Sequence, residues 1–236
     1  MKRVYCNSIL SKGSTYDLEE KYYIHLIRVM RLNIGDEITL FNQNSGEWLA
    51  IIKKIKKNAV SAEVVKRTSS SMPNPDINLL FSPIKYLNSE SVVRQSTELG
   101  IQNIYPTSFR RTVVKRINQN KFEHYAIGAA QQCGRTSIPH ISSLEKIENR
   151  IELLSKSNVL IFDENLIGSK INDIIPFKSK KNILVIIGPE GGFEDSERAL
   201  IFKNSMNCIN VSLGQRILKA DTAVIAALSL TFHYFS

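Results

Sequence analysis

Two glycine-containing turns near the end of the chain constrain its fold more than any other feature. The first turn, residues 188–193, follows the apolar run 183–187, and the second, residues 212–218, follows the run 208–211. Short apolar runs bounded by glycine are typical of buried strands in a parallel sheet. Ligands bind such sheets at the carboxyl ends of the strands. We therefore expect both turns to lie at one edge of a parallel sheet and to form a binding crevice.

The glycines of these turns indicate a close approach between backbone and ligand. Gly188, Gly191, Gly192 and Gly214 lack a Cβ atom and can adopt positive φ angles at little cost. The chain contains neither Gly-x-Gly-x-x-Gly nor Gly-x-x-x-x-Gly-Lys-Ser/Thr, the glycine patterns that bind phosphate. Either turn alone could be an ordinary strand-to-helix connection. Together they predict a site for a ligand that is not held in a phosphate cradle.

The pattern of the chain changes near residue 72. Before this point, segments 37–42, 47–55 and 59–67 predict short strands with one buried face, as in a small β-barrel. After the Ser- and Pro-rich linker 69–75, strands alternate with helices, which is typical of an α/β domain. The predicted strands are 77–81, 159–162, 183–187 and 208–211, and the predicted helices are 89–99, 195–203 and 217–232. We expect two domains, residues 1–72 and 73–236.

The charge of the chain favours a polyanionic partner. Its 31 Lys and Arg residues against 22 Asp and Glu residues give a net charge of +9, which fits RNA, although a basic surface without a partner has the same composition. Cys6, Cys133 and Cys208 form no Cys-x-x-Cys pair, which suggests reduced thiols in the cytoplasm. The His and Cys spacings predict no metal site, and the apolar run 223–228 is too short to cross a membrane.

Five motifs, in order along the chain, resemble those of one enzyme family. They are His25-Leu-Ile-Arg-Val-Met-Arg31, Thr97-Glu-Leu-Gly100, Gln131-Gln-Cys-Gly-Arg135, Ile187-Gly-Pro-Glu-Gly-Gly-Phe193 and Leu213-Gly-Gln-Arg-Ile-Leu-Lys-Ala-Asp-Thr-Ala223. In these motifs the chain is similar to the 16S ribosomal RNA uridine N3-methyltransferase family of the SPOUT class. Lys219 and Asp221 stand where that family has Arg and Glu. Gln131 stands where it has Glu, which puts a catalytic carboxylate at this position in doubt.

The resemblance implies a fold and an activity. The fold is an α/β SPOUT-type parallel sheet with a C-terminal trefoil knot, preceded by a small PUA-like β-barrel that docks RNA. The activity is S-adenosylmethionine-dependent methylation of N3 of a specific uridine in 16S rRNA, in the decoding region of the small ribosomal subunit, by a homodimer. Two alternatives stay open: a non-catalytic RNA-binding or ribosome assembly factor on the same fold, and methylation of a different RNA.

The resemblance also assigns roles to residues of the two turns. The cofactor would contact Phe162, Ile187, Gly188, Pro189, Glu190, Gly191, Gly192, Ser212, Leu213, Gly214, Ile217 and Leu218. Because N3 of uridine carries a proton at neutral pH, the reaction needs a proton acceptor and a cation near the developing negative charge. We expect Arg216, and after it Arg135, to supply the cation and Glu190 to accept the proton. Arg216 could instead be a surface arginine, and Glu190 a carboxylate at a helix N-terminus.

Basic residues in both domains predict RNA contacts. His25, Arg28 and Arg31 are spaced by three, as on one face of a helix, although a solvated helix face has the same spacing. Phosphate-binding residues are expected to include these three and Lys2, Arg3, Arg110, Arg111 and Lys115. Further charge comes from Lys53, Lys54, Lys56 and Lys57 on a predicted hairpin.

Overall fold

The computed structural model describes residues 2–71, 75–85, 87–165, 168–169 and 181–235. The chain forms two compact units. The first comprises Met1–Pro73 and Ala130–Ile138, and the second comprises Asn74–Ala129 and Pro139–Ser236. The expected domain boundary at residue 72 lies outside the described residues. Residues 130–138 come after the predicted boundary in the chain, but they belong to the first unit.

The first unit is built on a five-stranded sheet. Its strands pair in the order β1-β3-β4-β5-β2. Strand β1 runs parallel to β3, and the other pairings are antiparallel. Leu26, Leu40 and Ile52 are fully buried in its core. The strands are β1 (Arg3–Tyr5), β2 (Thr15–Leu18), β3 (Glu37–Asn42), β4 (Gly46–Lys56) and β5 (Ala59–Ser69).

A short helical segment interrupts this sheet between β2 and β3. Helix α1 (Glu20–Tyr23) continues directly into a π-helical turn, Ile24–Val29. The predicted strands at 37–42, 47–55 and 59–67 are present as β3, β4 and β5. Strands β1 and β2 were not predicted, because they are short and are defined by pairing with distant residues.

The second unit contains a parallel sheet. Its order is β12-β10-β11-β6-β7-β8, with β9 beside β7, and every described pairing is parallel. All residues of β6, β10 and β11 are buried, as expected for parallel strands covered on both faces. The predicted α/β parallel sheet is therefore confirmed. The strands are β6 (Ile77–Phe81), β7 (Asn103–Ser108), β8 (His140–Ile141), β9 (Glu145–Lys146), β10 (Asn158–Phe162), β11 (Ile183–Ile187) and β12 (Asn207–Asn210).

Helices cover this sheet. Helix α6 contacts α2, β6 and β11, while α5 contacts α4 and β12. The helices are α2 (Leu87–Leu99), α3 (Gln119–Cys133), α4 (Ile151–Ser155), α5 (Asp195–Asn204) and α6 (Ala220–Phe235), and a 3₁₀ turn, Ile147–Arg150, precedes α4. The trefoil knot stays a prediction, since the connection from β10 to β11 lies largely outside the described residues.

The last helix differs from its prediction in two ways. Helix α6 begins at Ala220, because the predicted residues 217–219 belong to the preceding turn. Its uniformly apolar sequence suggests a helix buried on all sides. In the structure Val224 and Leu228 are buried, whereas Leu230 is half-buried and Ser229 is exposed.

Candidate active site

The carboxyl ends of three neighbouring strands meet at one edge of the second unit's sheet. Strand β10 lies between β11 and β12, with Phe162 opposite Ile187 and Ile161 opposite Asn210. The turn 188–193 leaves the end of β11, and the turn 212–218 follows β12. Both glycine turns therefore lie at the same edge of the sheet, as the sequence predicts.

A cavity of about 400 Å³ opens beside the first turn. This volume is within the usual range of small-molecule sites, roughly 300–1,000 Å³. The end of β10, the first turn and the start of α6 form its walls. The predicted cofactor residues that line it are Phe162, Ile187, Gly188, Pro189, Glu190, Gly192, Ile217 and Leu218. Gly191 is not among the lining residues, and its carbonyl oxygen accepts a hydrogen bond from Arg111.

A smaller cavity of about 140 Å³ lies beside the second turn. It shares Phe162, Ile217 and Leu218 with the larger cavity, so the two are adjacent. The remaining predicted residues of the second turn line it, namely Ser212, Leu213, Gly214 and Arg216. The two turns thus enclose one continuous depression at the strand ends.

The backbone of the turns requires glycine at specific positions. A Cβ atom at Gly188 would lie 2.6 Å from the ring of Phe193, which is well inside van der Waals contact. Gly192 and Gly214 have φ angles of +74° and +106°, in the region that side chains disfavour. The shape of the depression therefore depends on residues without side chains.

Asp163 anchors the wall that the end of β10 forms. Its carboxylate is 1% exposed and accepts a hydrogen bond of 2.6 Å from Nε of Arg198. Its amide N–H donates to Oδ1 of Asn210 at 3.1 Å, which ties the end of β10 to the end of β12. Hydrogen bonding to Asp163 raises the pKa of Arg198. Sequence reasoning missed Arg198, because nothing in the spacing of residues 163 and 198 indicates that they meet.

Two of the three predicted catalytic residues lie on opposite turns of this depression. Glu190 lines the larger cavity and Arg216 the smaller, and both are exposed. Lys219 also lines the larger cavity. The departure from the family pattern at this position therefore keeps a cation at the depression.

The third predicted catalytic residue, Arg135, lies in the first unit. Its Nε donates to Oγ of Ser137 at 2.7 Å. Burial lowers its pKa to about 10, so the guanidinium stays charged at neutral pH. Arg135 is not among the residues that line either cavity.

Arg3 holds the segment 130–138 within the first unit. Its guanidinium stacks on the ring of Phe41 at 4.2 Å and donates to the backbone carbonyls of Ala130, Gln131, Gly134 and Arg135 at 2.7–3.2 Å. In return, Nε2 of Gln131 donates to the carbonyl oxygen of Arg3 at 2.7 Å. Arg3 and Gln131 are therefore structural residues in this unit, and the predicted RNA contact of Arg3 involves a guanidinium that is already hydrogen-bonded.

The other predicted RNA-binding residues of the first unit lie at its surface. Lys2, His25, Arg28 and Arg31 are exposed. His25 and Arg28 belong to the π-helical turn, which ends before Arg31, so the three do not share one α-helical face as their spacing suggests. Arg31 has a φ of +57°. Both π-helical turns and non-glycine residues with positive φ are enriched at functional sites.

The hairpin of β4 and β5 presents a row of exposed lysines. The pairing of the two strands shifts between Ile52 and Lys54, so that both Lys53 and Lys54 are exposed. Lys56 and Lys57 follow at the tip and are also exposed. We call these four residues the lysine hairpin.

The predicted basic group of the second unit follows strand β7. Arg110, Arg111 and Lys115 are exposed, but each has a partner within the unit. Nζ of Lys115 donates to the carbonyl oxygen of Thr112 at 2.9 Å. The Nε atoms of Arg110 and Arg111 lie 3.6 and 4.0 Å from the Glu194 carboxylate.

Several other features of the described residues bear on function. The three cysteines are free thiols. Burial raises the pKa of Cys208 to about 12, so this thiol stays protonated at neutral pH. No described helix is long and apolar enough to cross a membrane. Within the same residues, no group of three or more His, Cys, Asp or Glu side chains is placed to hold a metal ion.

Two family models match the chain. An RNA methyltransferase domain matches residues 71–231, and an RNA methyltransferase PUA domain matches residues 23–65. The expected PUA-like unit before the sheet is thereby confirmed.

Named relatives span almost the whole chain. The ribosomal RNA small subunit methyltransferase E of Rickettsia conorii is 31% identical over 233 residues, covering 96% of this chain and 93% of the relative. The protein of the same name from Bacillus subtilis is 25% identical over 237 residues, covering 93% of this chain and 90% of the relative.

Solved structures share the fold along the full length. A putative methyltransferase from Legionella pneumophila, in complex with the bound cofactor SAM, has a TM-score of 0.87 and 28% identity, covering 98% of this chain and 96% of its own. A ribosomal RNA small subunit methyltransferase E from Neisseria gonorrhoeae bound to S-adenosylmethionine has a TM-score of 0.86 and 26% identity, covering 97% and 96%.

Proposed function

The chain belongs to the RNA methyltransferase family, and we propose that it methylates N3 of a uridine in 16S rRNA with S-adenosylmethionine as the cofactor. The observation that carries this proposal is the convergence of both glycine turns on one depression at the carboxyl edge of a parallel sheet. The uridine, its atom and its place in the decoding region come from the family resemblance.

The residues of the depression fit S-adenosylmethionine. An adenine ring and a sulfonium group need apolar walls and backbone hydrogen-bonding groups, and no phosphate clamp. Ile187, Ile217 and Leu218 provide apolar surface, and the turns provide backbone N–H and C=O groups. When bound, S-adenosylmethionine supplies an electrophilic methyl group. Because Gly188 has no Cβ, the Phe193 ring can pack directly against the turn that would hold the cofactor.

Glu190 and Arg216 can supply the proton chemistry. Uridine N3 becomes nucleophilic when its proton leaves, and Glu190 is an exposed carboxylate at the rim of the larger cavity that can accept it. Negative charge then spreads onto the ring carbonyl oxygens of the uridine. The Arg216 guanidinium stabilises that charge, and it does so more in the transition state than in the ground state.

The same proposal covers partners and location. RNA contacts are assigned to Lys2, His25, Arg28, Arg31 and the lysine hairpin, all of which are exposed. The substrate is rRNA within the small ribosomal subunit, and the enzyme acts in the cytoplasm as a homodimer, as the resemblance implies. Ile217, which lies at the depression, is an apolar residue with 81% exposure. This exposure supports a contact in which another molecule, such as the second subunit of the homodimer, covers the residue.

The direct test is methyl transfer from labelled S-adenosylmethionine to small ribosomal subunits that lack the modification. The product is located by reverse-transcription stops and nucleoside mass spectrometry. We expect 3-methyluridine at one position. The Arg216→Ala variant should lose turnover roughly 100-fold or more with its melting temperature unchanged, as for other groups that stabilise transition-state charge.

Three outcomes would contradict parts of the proposal. Normal turnover by Arg216→Ala would remove this residue from the mechanism. Cofactor binding without transfer to the subunit would indicate a different RNA substrate. Absence of cofactor binding would favour the assembly-factor alternative.

A further inference from the structure

The loop that follows β7 is fixed against the sheet. Oγ1 of Thr112 accepts a hydrogen bond from the amide N–H of Phe109 at 2.7 Å and contacts Oγ of Ser82 at 2.8 Å. The amide N–H of Ser82 in turn donates to the carbonyl oxygen of Ile187, the last residue of β11. We call residues 109–112 the bracing loop. Both its ends are held, and one chain of hydrogen bonds leads to the start of the first glycine turn.

The bracing loop contacts the first glycine turn at two points. The rings of Phe109 and Phe193 meet edge-to-face, with centroids 5.1 Å apart. Nη1 of Arg111 donates a hydrogen bond of 2.7 Å to the carbonyl oxygen of Gly191. The Arg111 side chain also packs against the Cα of Gly191, where a Cβ would come within 3.2 Å of it. The turn is thus contacted both at the Phe193 ring and at the Gly191 carbonyl.

Two carboxylates, Glu194 and Glu197, lie beside the arginines of the loop. Glu197 is 3% exposed and accepts the amide N–H groups of Arg110 at 2.7 Å and Glu194 at 2.8 Å. The Glu194 carboxylate lies 4.0 Å from Nε of Arg111. An RNA phosphate at Arg111 would therefore lie near the negative charge of the Glu194 carboxylate, which would repel it. This arrangement does not favour a phosphate contact.

We propose that Arg111 is a positioning residue for the cofactor turn and not an RNA-binding residue. Consecutive glycines give residues 191–192 wide backbone freedom, which binding of a ligand would have to remove. By fixing the Gly191 carbonyl, Arg111 removes that freedom beforehand, so less conformational entropy is lost on binding. The inference rests on the proposed function, because it requires that the turn holds S-adenosylmethionine.

The test measures two affinities in the full chain. For Arg111→Ala we expect S-adenosylmethionine to bind roughly fivefold more weakly or worse by isothermal titration calorimetry, as expected for loss of a charge-assisted hydrogen bond. In steady-state assays the KM for the cofactor should rise by a similar factor, with kcat at saturating cofactor retained. The RNA dissociation constant and its salt dependence should stay as in the unsubstituted chain.

Two further variants separate geometry from charge. Arg111→Lys keeps the charge, but it replaces the planar guanidinium, whose Nη1 donates to Gly191 while Nε lies beside Glu194, by a single ammonium on a flexible stem. We expect it to keep the cofactor defect in part and to bind RNA normally. Lys203→Ala removes an exposed charge from α5, far along the helix from Glu194, and should leave both affinities unchanged.

The outcomes distinguish this inference from the function on which it rests. If the unsubstituted chain binds S-adenosylmethionine and Arg111→Ala binds it equally well, the positioning role is wrong. A flatter salt dependence of RNA binding in Arg111→Ala, with unchanged cofactor affinity, would show a phosphate contact instead. If the unsubstituted chain does not bind the cofactor at all, the proposed function fails and this inference fails with it.

Discussion

At position 188 the structure leaves no room for a side chain. The Cβ of an alanine would lie 2.6 Å from the ring of Phe193, which is 3% exposed and cannot move aside into solvent. We expect Gly188→Ala to cost about 1–3 kcal/mol of unfolding free energy through overpacking. Because the displaced atoms line the larger cavity, S-adenosylmethionine should also bind at least tenfold more weakly. Urea denaturation and calorimetry measure the two effects.

Gly128→Ala is the matched control. Gly128 lies inside helix α3, and a Cβ there would meet no atom within 4 Å. Alanine in a helix is more stable than glycine by roughly 0.5–1 kcal/mol, so this variant should be at least as stable as the original chain. If both substitutions have the same effect on stability and cofactor affinity, the contact between Gly188 and Phe193 does not shape the site.

At the level of single residues, the sequence predicted the two glycine turns but not the side chains that hold them in place. Glycines after apolar runs predicted a ligand site at the two turns, since the effect of a glycine is local in the chain. Arg198 and Arg111 act through contacts with Asp163 and Gly191, 35 and 80 residues away along the chain. An arginine that pairs with a distant group has no local pattern, so the sequence does not indicate that Arg3 and Arg111 donate hydrogen bonds to backbone carbonyls.

At the level of elements, Arg198 joins helix α5 to the end of β10. It pairs with Asp163, whose side chain is 1% exposed, and with Asp195, which is fully exposed. Removing one partner of a buried ion pair typically costs about 3–5 kcal/mol, so Asp163→Asn should be strongly destabilised. Asp195→Asn should leave the urea midpoint almost unchanged, because exposed pairs contribute little. Equal destabilisation by both substitutions would mean that burial does not set the strength of this contact.

The sequence predicted those strands and helices whose own apolar residues mark them as buried. Strands β6 and β11 have the predicted bounds, because β11 is a continuous apolar run and β6 is an apolar run interrupted only by Asn78. Strand β7 was not predicted, because Asn103, Pro106 and Ser108 interrupt its apolar pattern. Its extended conformation depends on pairing with β6. The two-residue strands β8 and β9 exist only through their pairing with β7. Helix α3 was missed because its polar residues and Gly128 weaken the helical pattern.

For the whole molecule, the net charge of +9 matters through its distribution. The lysine hairpin gathers four exposed lysines on one element of the first unit, and of these Lys53 pairs with Glu63 at 3.0 Å. The basic residues after β7 have partners in their own unit. We therefore expect Lys54, Lys56 and Lys57 to contribute more to RNA affinity than the same number of lysines in the second unit.

This expectation can be measured with two triple variants of equal net charge. Replacing Lys54, Lys56 and Lys57 by Ser should raise the KM for the RNA substrate and reduce the slope of log affinity against log salt by about 2–3, since each lost phosphate contact contributes about 0.7–0.9. Replacing Lys146, Lys156 and Lys203, which are exposed in the second unit, should change that slope little. Cofactor affinity should be the same in both variants, because none of the six lysines lines the depression. Equal loss of RNA affinity in the two variants would mean that net charge, and not the lysine hairpin, determines RNA binding.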